Sequence, residues 1–354
     1  LIDPDYTIII SEETRERLYH YLEEIKSGIP AGAYLSAEID KIDQKSIHYD
    51  LFLEALLNTK RPQIFAESQV YGNGVDWTLA ELGFLGDISI ATPVTIYDNG
   101  LHESAALHEE PFKGCLVFVP GALLRNDTGE VPADWNEITC DGVFDPASFF
   151  NLYERRLRPV FSFIDQRAGH IGRKAFITVP GIGCGQFAGE YRGQLGHVLR
   201  RALINIIEKY GSGLTNIKAV YYDPYDEWEN ERKKIHDIDF FCRPLRQGNA
   251  DKPQLCLPSV YEESGDDFSS CELYSFVAWD HVSWPGNDFY AGARATDDGV
   301  KAAATNAMKV MTGVTGHYDK ILSQYLPPER YENWRAVVKQ NKLRLKVHQN
   351  LFYA

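Results

Sequence analysis

The stretch FITVPGIGCGQFAGEYRGQLGHVLRRAL, residues 176–203, decides the fold. Its start, Phe176 to Val179, is an apolar run of the length expected for a strand buried on both faces. Gly181, Gly183, Gly185 and Gly189 then cross a turn, and Leu195, Val198, Leu199, Ala202 and Leu203 recur at helical spacing. Glycines at such a turn let successive N–H groups point into one concavity and let a bulky anion approach the backbone. The start of the following helix adds a partial positive charge. In an open α/β sheet this loop falls outside the carboxyl end of its strand, where ligands bind. The bland alternative is a tight strand-to-helix turn with no ligand. The spacing is neither G-x-G-x-x-G with an acid about twenty residues on, nor G-x-x-x-x-G-K-[ST]. Neither a dinucleotide fold nor a phosphate-loop ATPase is indicated.

Outward from this unit, further strand-like runs appear: TPVTIY before the turn signal DNG, GCLVFVPG, IKAVYYDP, IDFFC and YSFVAW. Helical patterns alternate with them. Asp145 and Pro146 open a long one through ASFFNLYERRLRPVFSFIDQ, with a kink expected at Pro159. The order predicts an α/β fold, a mixed or mostly parallel sheet covered by helices. The first sixty residues read as helical: Ser11 caps EETRERLYHYLEEIKSG, and SIHYDLFLEALLNTKRP repeats the pattern until Pro62. A basic helix is expected beyond Pro327, in PPERYENWRAVVKQNKLRLKVHQNLF. The expected division is a helical N-terminal extension over 1–62, an α/β core over 63–325 and a C-terminal helix over 326–354.

The chain has 354 residues and a net charge of −14, from 36 Lys plus Arg against 50 Asp plus Glu. That balance argues against duplex nucleic acid, which wants a basic face, and favours a partner with one. No run approaches the ~18 apolar residues of a membrane span. The cysteines at 115, 140, 184, 242, 256 and 271 form no C-x-x-C pair, which reads as reduced thiols in a reducing compartment. His102 and His108 in LHESAALHEEP are six apart, not the i, i+4 of a helical zinc pair, and the stretch reads as a solvated connection.

A second stretch, VAWDHVSWPGNDFYAGARATDDG at 277–299, runs into the helical VKAAATNAMKVM. Helix capping explains part of it: Thr296 suits an N-cap, and Asp297 and Asp298 complement the helix dipole. Capping leaves unexplained why a buried-looking strand ends in Asp280. A Mg²⁺ site on Asp288, Asp297 and Asp298 is the other reading of these residues alone.

Strand, PGIGCGQFAG, amphipathic helix and then NIKAVYYDPYDEWENER together resemble the diphosphate-binding half of the macrodomain, the ADP-ribose-binding fold. The resemblance implies that Gly181, Ile182, Gly183, Cys184, Gly185, Gln186 and Phe187 wrap the diphosphate and distal ribose. It implies that Tyr222 or, preferentially, Tyr225 supplies a ring beside the adenine. FLGDISI resembles the family's Gly-Asp-Ile segment, which implies that Asp87 accepts from the adenine amino group with the Ile88 N–H assisting. The segment 277–299 has the shape of the family's catalytic loop, with aspartates where many relatives carry Asn. It follows the diphosphate loop, the reverse of the usual order, and it lacks the three-glycine, Gln-Glu-Glu signature of poly-ADP-ribose glycohydrolases.

Within that superfamily the chain resembles a divergent bacterial effector branch whose members remove ADP-ribose from an arginine of ubiquitin. This implies Asp280, Asp288 and Asp298 as the acidic cluster: Asp298 activating water, Asp288 touching the distal ribose or the guanidinium, Asp280 orienting one of them. It implies ADP-ribosylated ubiquitin as partner, no cofactor or metal, and delivery into the host cytosol. The competing expectations are a non-catalytic ADP-ribose reader and a Mg²⁺-dependent phosphohydrolase of nucleotide diphosphates.

Overall fold

The computed structural model describes residues 5–43, 46–64, 70 and 72–354. Its centre is a nine-stranded mixed sheet. In chain order the strands are β1 (Thr7–Ile10), β2 (Ser89–Asp98), β3 (Leu107–Pro120), β4 (Ala175–Pro180), β5 (Ile217–Asp223), β6 (Glu231–Ile235), β7 (Ile238–Cys242), β8 (Glu272–Trp279) and β9 (Leu351–Tyr353). In space they lie β9-β1-β2-β3-β8-β4-β5-β7-β6. The run β3-β8-β4-β5-β7 is parallel throughout, so its carboxyl ends share one edge. Register sets that edge: Trp279 stands beside Pro120, and Pro180 beside Asp223.

Strand side chains alternate between two apolar layers. In β8, Leu273, Val277 and Trp279 join one layer, Tyr274 and Phe276 the other. Because both faces are covered, the parallel strands read as continuous apolar runs rather than as alternation. The second layer holds α5 (Pro146–His170) and α6 (Leu195–Tyr210). The first holds α1 (Glu12–Lys26), α2 (Ala33–Ile39), α3 (Tyr49–Leu57), α4 (Leu79–Gly86), α7 (Asp297–Ala303) and α8 (Ala307–Thr312). Helix starts follow the sequence signals: Ser11 accepts from Thr14 N, Asp145 from Ala147 N and Ser148 N, and Thr78 with Glu81 forms a reciprocal capping box. α5 runs through Pro159 without a break in its assignment.

The termini differ from the expected secondary structure. Thr7–Ile10, a β-branched run, is a sheet strand that precedes the N-terminal helices. The basic C-terminal segment forms only the short helix α9 (Trp334–Gln340). Beyond it Leu343, Leu345 and Val347 alternate into the core at strand period, strapped to α3 by Leu345 N on Asn58 Oδ1 and Val347 N on Glu54 Oε2. The chain then ends in β9, parallel to β1. LHEEP is likewise strand, the first part of β3, rather than a loose connection. No helix among the described residues is long and apolar enough to cross a membrane.

Candidate active site

A cleft of about 750 Å³ opens along the shared carboxyl edge of the parallel strands. That volume is in the range of small-molecule sites, about 300–1,000 Å³. One wall is the glycine loop: Gly181, Gly183, Cys184, Gly185, Gln186 and Phe187 all line it. The loop is held from behind by Tyr153, whose hydroxyl donates to Ile182 O at 2.7 Å and accepts from Ala122 N at 3.1 Å. Gly183 has φ +75°, and a Cβ there would stand 2.6 Å from the Tyr153 hydroxyl, so only glycine fits. The N–H groups of Gly183, Gly185, Gln186 and Phe187 have no acceptor among the described residues. Unpaired amides on a concave wall are what an anion needs. Ile182 is fully buried behind the wall. Cys184 is buried, and burial pushes its thiol pKa up.

The second wall comes from residues about a hundred positions later. Asp280, the first residue after β8, lines the cleft, as do Trp279, Asn287, Thr296, Asp297 and Asp298. Asp280 Oδ1 accepts from Val282 N at 2.7 Å and Ser283 N at 2.6 Å, and its Oδ2 accepts from the Ser283 hydroxyl. Asp298 Oδ1 accepts from Gly286 N at 2.6 Å and its Oδ2 from Asn287 N at 3.1 Å. Burial, then the charges of Asp288 and Asp280, push the Asp298 pKa well above the ordinary carboxylate value.

Asp288 does not line the cleft. Its carboxylate accepts from Ala295 N at 3.1 Å, Thr296 N at 3.0 Å and the Thr296 hydroxyl at 2.6 Å. It lies over Gly299, where an added Cβ would be 2.4 Å from its oxygens. Asp288 thus ties its own turn to the start of α7, the helix that carries Asp298.

Asp87 and Ile88 are not brought to the cleft. Asp87 is buried, with its carboxylate taken by Arg155 Nε at 2.7 Å, Arg156 Nε at 3.1 Å, Arg17 at 3.2 Å and the Thr14 hydroxyl at 3.0 Å. Arg156 continues to Asp134 Oδ1 at 2.7 Å, and Asp134 Oδ2 accepts from Leu123 N and meets His281 Nε2 at 3.0 Å. Burial alone would raise both carboxyls; the arginines outweigh it and hold Asp87 and Asp134 below the usual range. His281 is therefore fixed from the far side by a buried charge chain, next to Asp280.

Lys301, Gln254 and Asp223, which patterning did not single out, also line the cleft. Lys301 is buried, donating to Gln254 Oε1 at 2.7 Å, to Phe276 O and to Asp297 at 3.1 Å. Asp223 Oδ1 accepts from Tyr225 N at 2.8 Å and Leu245 N at 2.9 Å, and burial raises its pKa. Tyr225, at φ +65°, is 47% exposed, and the Arg246 guanidinium stands 4.3 Å from its ring centre. Tyr222 is fully buried, its hydroxyl on Gly196 O, which leaves Tyr225 as the available ring. His102, set aside as part of a solvated connection, borders the cleft through its contact with Ala295 O. Asp223 lay in plain view in YYDPYDE, but no sequence signal linked Lys301 or Gln254 to a site.

A glycine loop of unpaired amides facing an acidic segment across the parallel-strand edge is a macrodomain-like arrangement. The family model of the macrodomain effector MavL matches residues 6–331. The chain belongs to this family. With that membership goes an ADP-ribose-related macrodomain function. No individually curated protein matches the chain. The match extends from β1 to beyond α8, so the N-terminal helices are within it.

Proposed function

We propose that the chain is an ADP-ribosylhydrolase that cleaves the N-glycosidic bond between ADP-ribose and an arginine side chain, with ubiquitin as the protein that carries it. One observation carries the reading: the unpaired amides of Gly183, Gly185, Gln186 and Phe187 and the carboxylates of Asp280 and Asp298 open onto the same cleft. In this reading the amides take the diphosphate and the acids surround the far ribose. Tyr225 stacks on the adenine, and Asp223, whose Oδ2 has no partner among the described residues, takes the place expected of Asp87 in accepting from the exocyclic amine.

The chemistry follows from the charges. As the C–N bond lengthens, positive charge grows on the ribose ring, and fixed carboxylates stabilise it. Asp298 accepts a proton from the attacking water, whose oxygen bonds to the anomeric carbon. The bonding pair leaves with the guanidine nitrogen, and the proton that Asp298 took from water passes to that nitrogen by way of solvent, giving guanidinium and restoring the carboxylate. Asp280 orients the acceptor. Asp288 acts through the loop, by holding α7 and Asp298 in register. Among the described residues no group of three His, Cys, Asp or Glu gathers as a metal site, and the steps above are assigned to the chain's own side chains. The acidic net charge of −14 supports docking on a basic, arginine-bearing protein face. Membership in an effector family supports delivery into a host cell.

A second reading is favoured by one fact. The carboxylates of Asp280, Asp288 and Asp298 all accept backbone N–H groups, as purely structural aspartates would, and a reader that binds ADP-ribose without cleaving needs no more. The test is incubation of arginine-ADP-ribosylated ubiquitin with the protein, with and without EDTA, and weighing of the products. Free ADP-ribose plus unmodified ubiquitin in both arms is expected. Tight ADP-ribose binding without turnover establishes the reader, and AMP release only without EDTA establishes a metal-dependent phosphohydrolase.

A further inference from the structure

Lys60 stands at the end of α3, far in sequence from either wall of the cleft, and its side chain is 2% exposed. Its ammonium donates to His281 O at 2.6 Å and lies 4.1 Å from the centre of the Trp279 ring. Those two residues flank Asp280. The backbone around it is fixed as well: Arg61 N donates to Val282 O, and Trp284 N to Arg61 O, each at 2.8 Å. Thr59 accepts from Trp77 Nε1 at 2.9 Å. Arg61 thus forms a single parallel bridge with Ser283, and Lys60, next to it, is held in the interior.

A buried ammonium costs several kcal/mol unless it is compensated. Lys60 has no carboxylate within ion-pair distance among the described residues. The charges that act on it are Asp280, at the end of β8, and Asp298, on α7. Burial drives the Lys60 pKa down to about 7 in spite of them. On the other side of the pair, Asp298 also feels Asp288 and Asp297, and Lys301 and Tyr290 feel Asp298. Lys60 does not line the cleft, so it touches no substrate and is no nucleophile.

We propose that Lys60 is a positioning residue, whose ammonium fixes the acid-bearing segment 280–284 from behind through His281 O and the Trp279 ring and places a buried cation on the side of Asp298 away from the cleft. The inference rests on the hydrolase reading for its consequence in catalysis, but not for its electrostatics. A cation behind the acids favours their ionised form; its removal raises the pH at which Asp298 can accept a proton from water. Lysine here does what the incoming guanidinium does from the front, and it does so before substrate arrives.

The experiment compares wild type with Lys60→Met, which keeps the stem and deletes the charge, and with Lys60→Arg, which keeps the charge. Three readouts are taken: ADP-ribose affinity, kcat and KM against pH on ADP-ribosyl-arginine ubiquitin, and carboxyl titration by ¹³C NMR of aspartate-labelled protein. Lys60→Met is expected to bind ADP-ribose within about threefold of wild type, a difference under ~1 kcal/mol. Its kcat should fall at least ~10-fold with little change in KM, and its acid limb and a buried carboxyl titration should both move up by about one pH unit. Lys60→Arg should keep the wild-type acid limb. Unmoved carboxyl titration in a Lys60→Met protein that still binds ADP-ribose overturns the proposal, whatever its kcat. If Lys60→Met does not fold, Lys60→Gln takes its place with the same outcomes. If wild type shows no turnover at all, the hydrolase reading falls, and the carboxyl titration alone decides the role of Lys60.

Discussion

Replacing Asp298 by Asn tests the hydrolase reading with the least disturbance of shape. The carboxylate accepts Gly286 N at 2.6 Å and Asn287 N at 3.1 Å. An amide keeps one acceptor and turns an NH₂ toward the other N–H, so one bond to a charged acceptor is lost, a cost of about 1.5–3 kcal/mol. Against this, a neutral amide removes the burial penalty and the repulsion from Asp288 and Asp280 that raise the Asp298 pKa. The two effects oppose each other, and the variant should stay folded. Because its folded pKa lies above the unfolded value, Asp298 contributes stability that is full below the unfolded pKa and is lost as pH rises through the folded one. The variant lacks that component, so its melting temperature should fall less than wild type's as pH rises from acid to neutral. Loss of a general base costs about 10²–10⁴ in kcat, or ~2.7–5.4 kcal/mol. ADP-ribose affinity should stay within about tenfold, ~1.4 kcal/mol, because the amide wall is untouched. Single-turnover release of ADP-ribose measures the first quantity and calorimetric titration the second. A kcat within threefold of wild type would remove Asp298 from the chemistry.

Gly185→Val places its side chain where no protein atom lies within 4 Å of the new Cβ, on the cleft wall. The Gly185 backbone, φ −87° and ψ −119°, lies outside the β and αR regions, so valine should cost about 1–3 kcal/mol of stability, while ADP-ribose affinity, measured well below the melting temperature, drops at least ~10-fold by calorimetry. Tyr225→Ala removes a half-exposed ring and should weaken ADP-ribose by about 0.5–1.5 kcal/mol with kcat unchanged; an unaltered Kd would place the adenine elsewhere. Arg156→Met leaves Asp87 and Asp134 short of a buried partner and should cost about 3–5 kcal/mol in urea unfolding. In wild type, Asp87 and Asp134 have depressed pKa values, so the stability they contribute is present above the ordinary carboxylate value and is lost as pH falls through the depressed ones. Arg156→Met should flatten that acid-side loss, read from melting temperature against pH.

The sequence was least informative where charge met burial. Asp87 sits in a Gly-Asp-Ile triplet that resembles a ligand segment, yet Arg17, Arg155 and Arg156 reach it from α1 and α5 and leave it no room for a base. Nothing in the local pattern of ERRLRP distinguishes an arginine that turns inward from one that faces water. Asp288 shows the converse. Its spacing marks it as part of the acidic segment, but its carboxylate closes on Ala295 and Thr296, and only the fold of that turn decides this. The C-terminal KLRLKV misled for a different reason: its period of two was masked by basic residues, and the strap across α3 revealed it.

What the sequence determined by itself was local. An apolar run ending in Gly181, Gly183 and Gly185 before an amphipathic helix must be strand, tight turn and helix, because backbone sterics and periodicity act over a few residues. It equally determined that Asp280 follows a buried strand and that Asp298 opens a helix. Tertiary structure decided which of these ends meet. The parallel pairing of β8 with β3 and β4 carries the glycine turn and Asp280 to one edge, and it brings Lys60 beneath them from another part of the chain. Burial and neighbouring charge then set each acid's protonation, and those depend on distances through space that chain order does not contain.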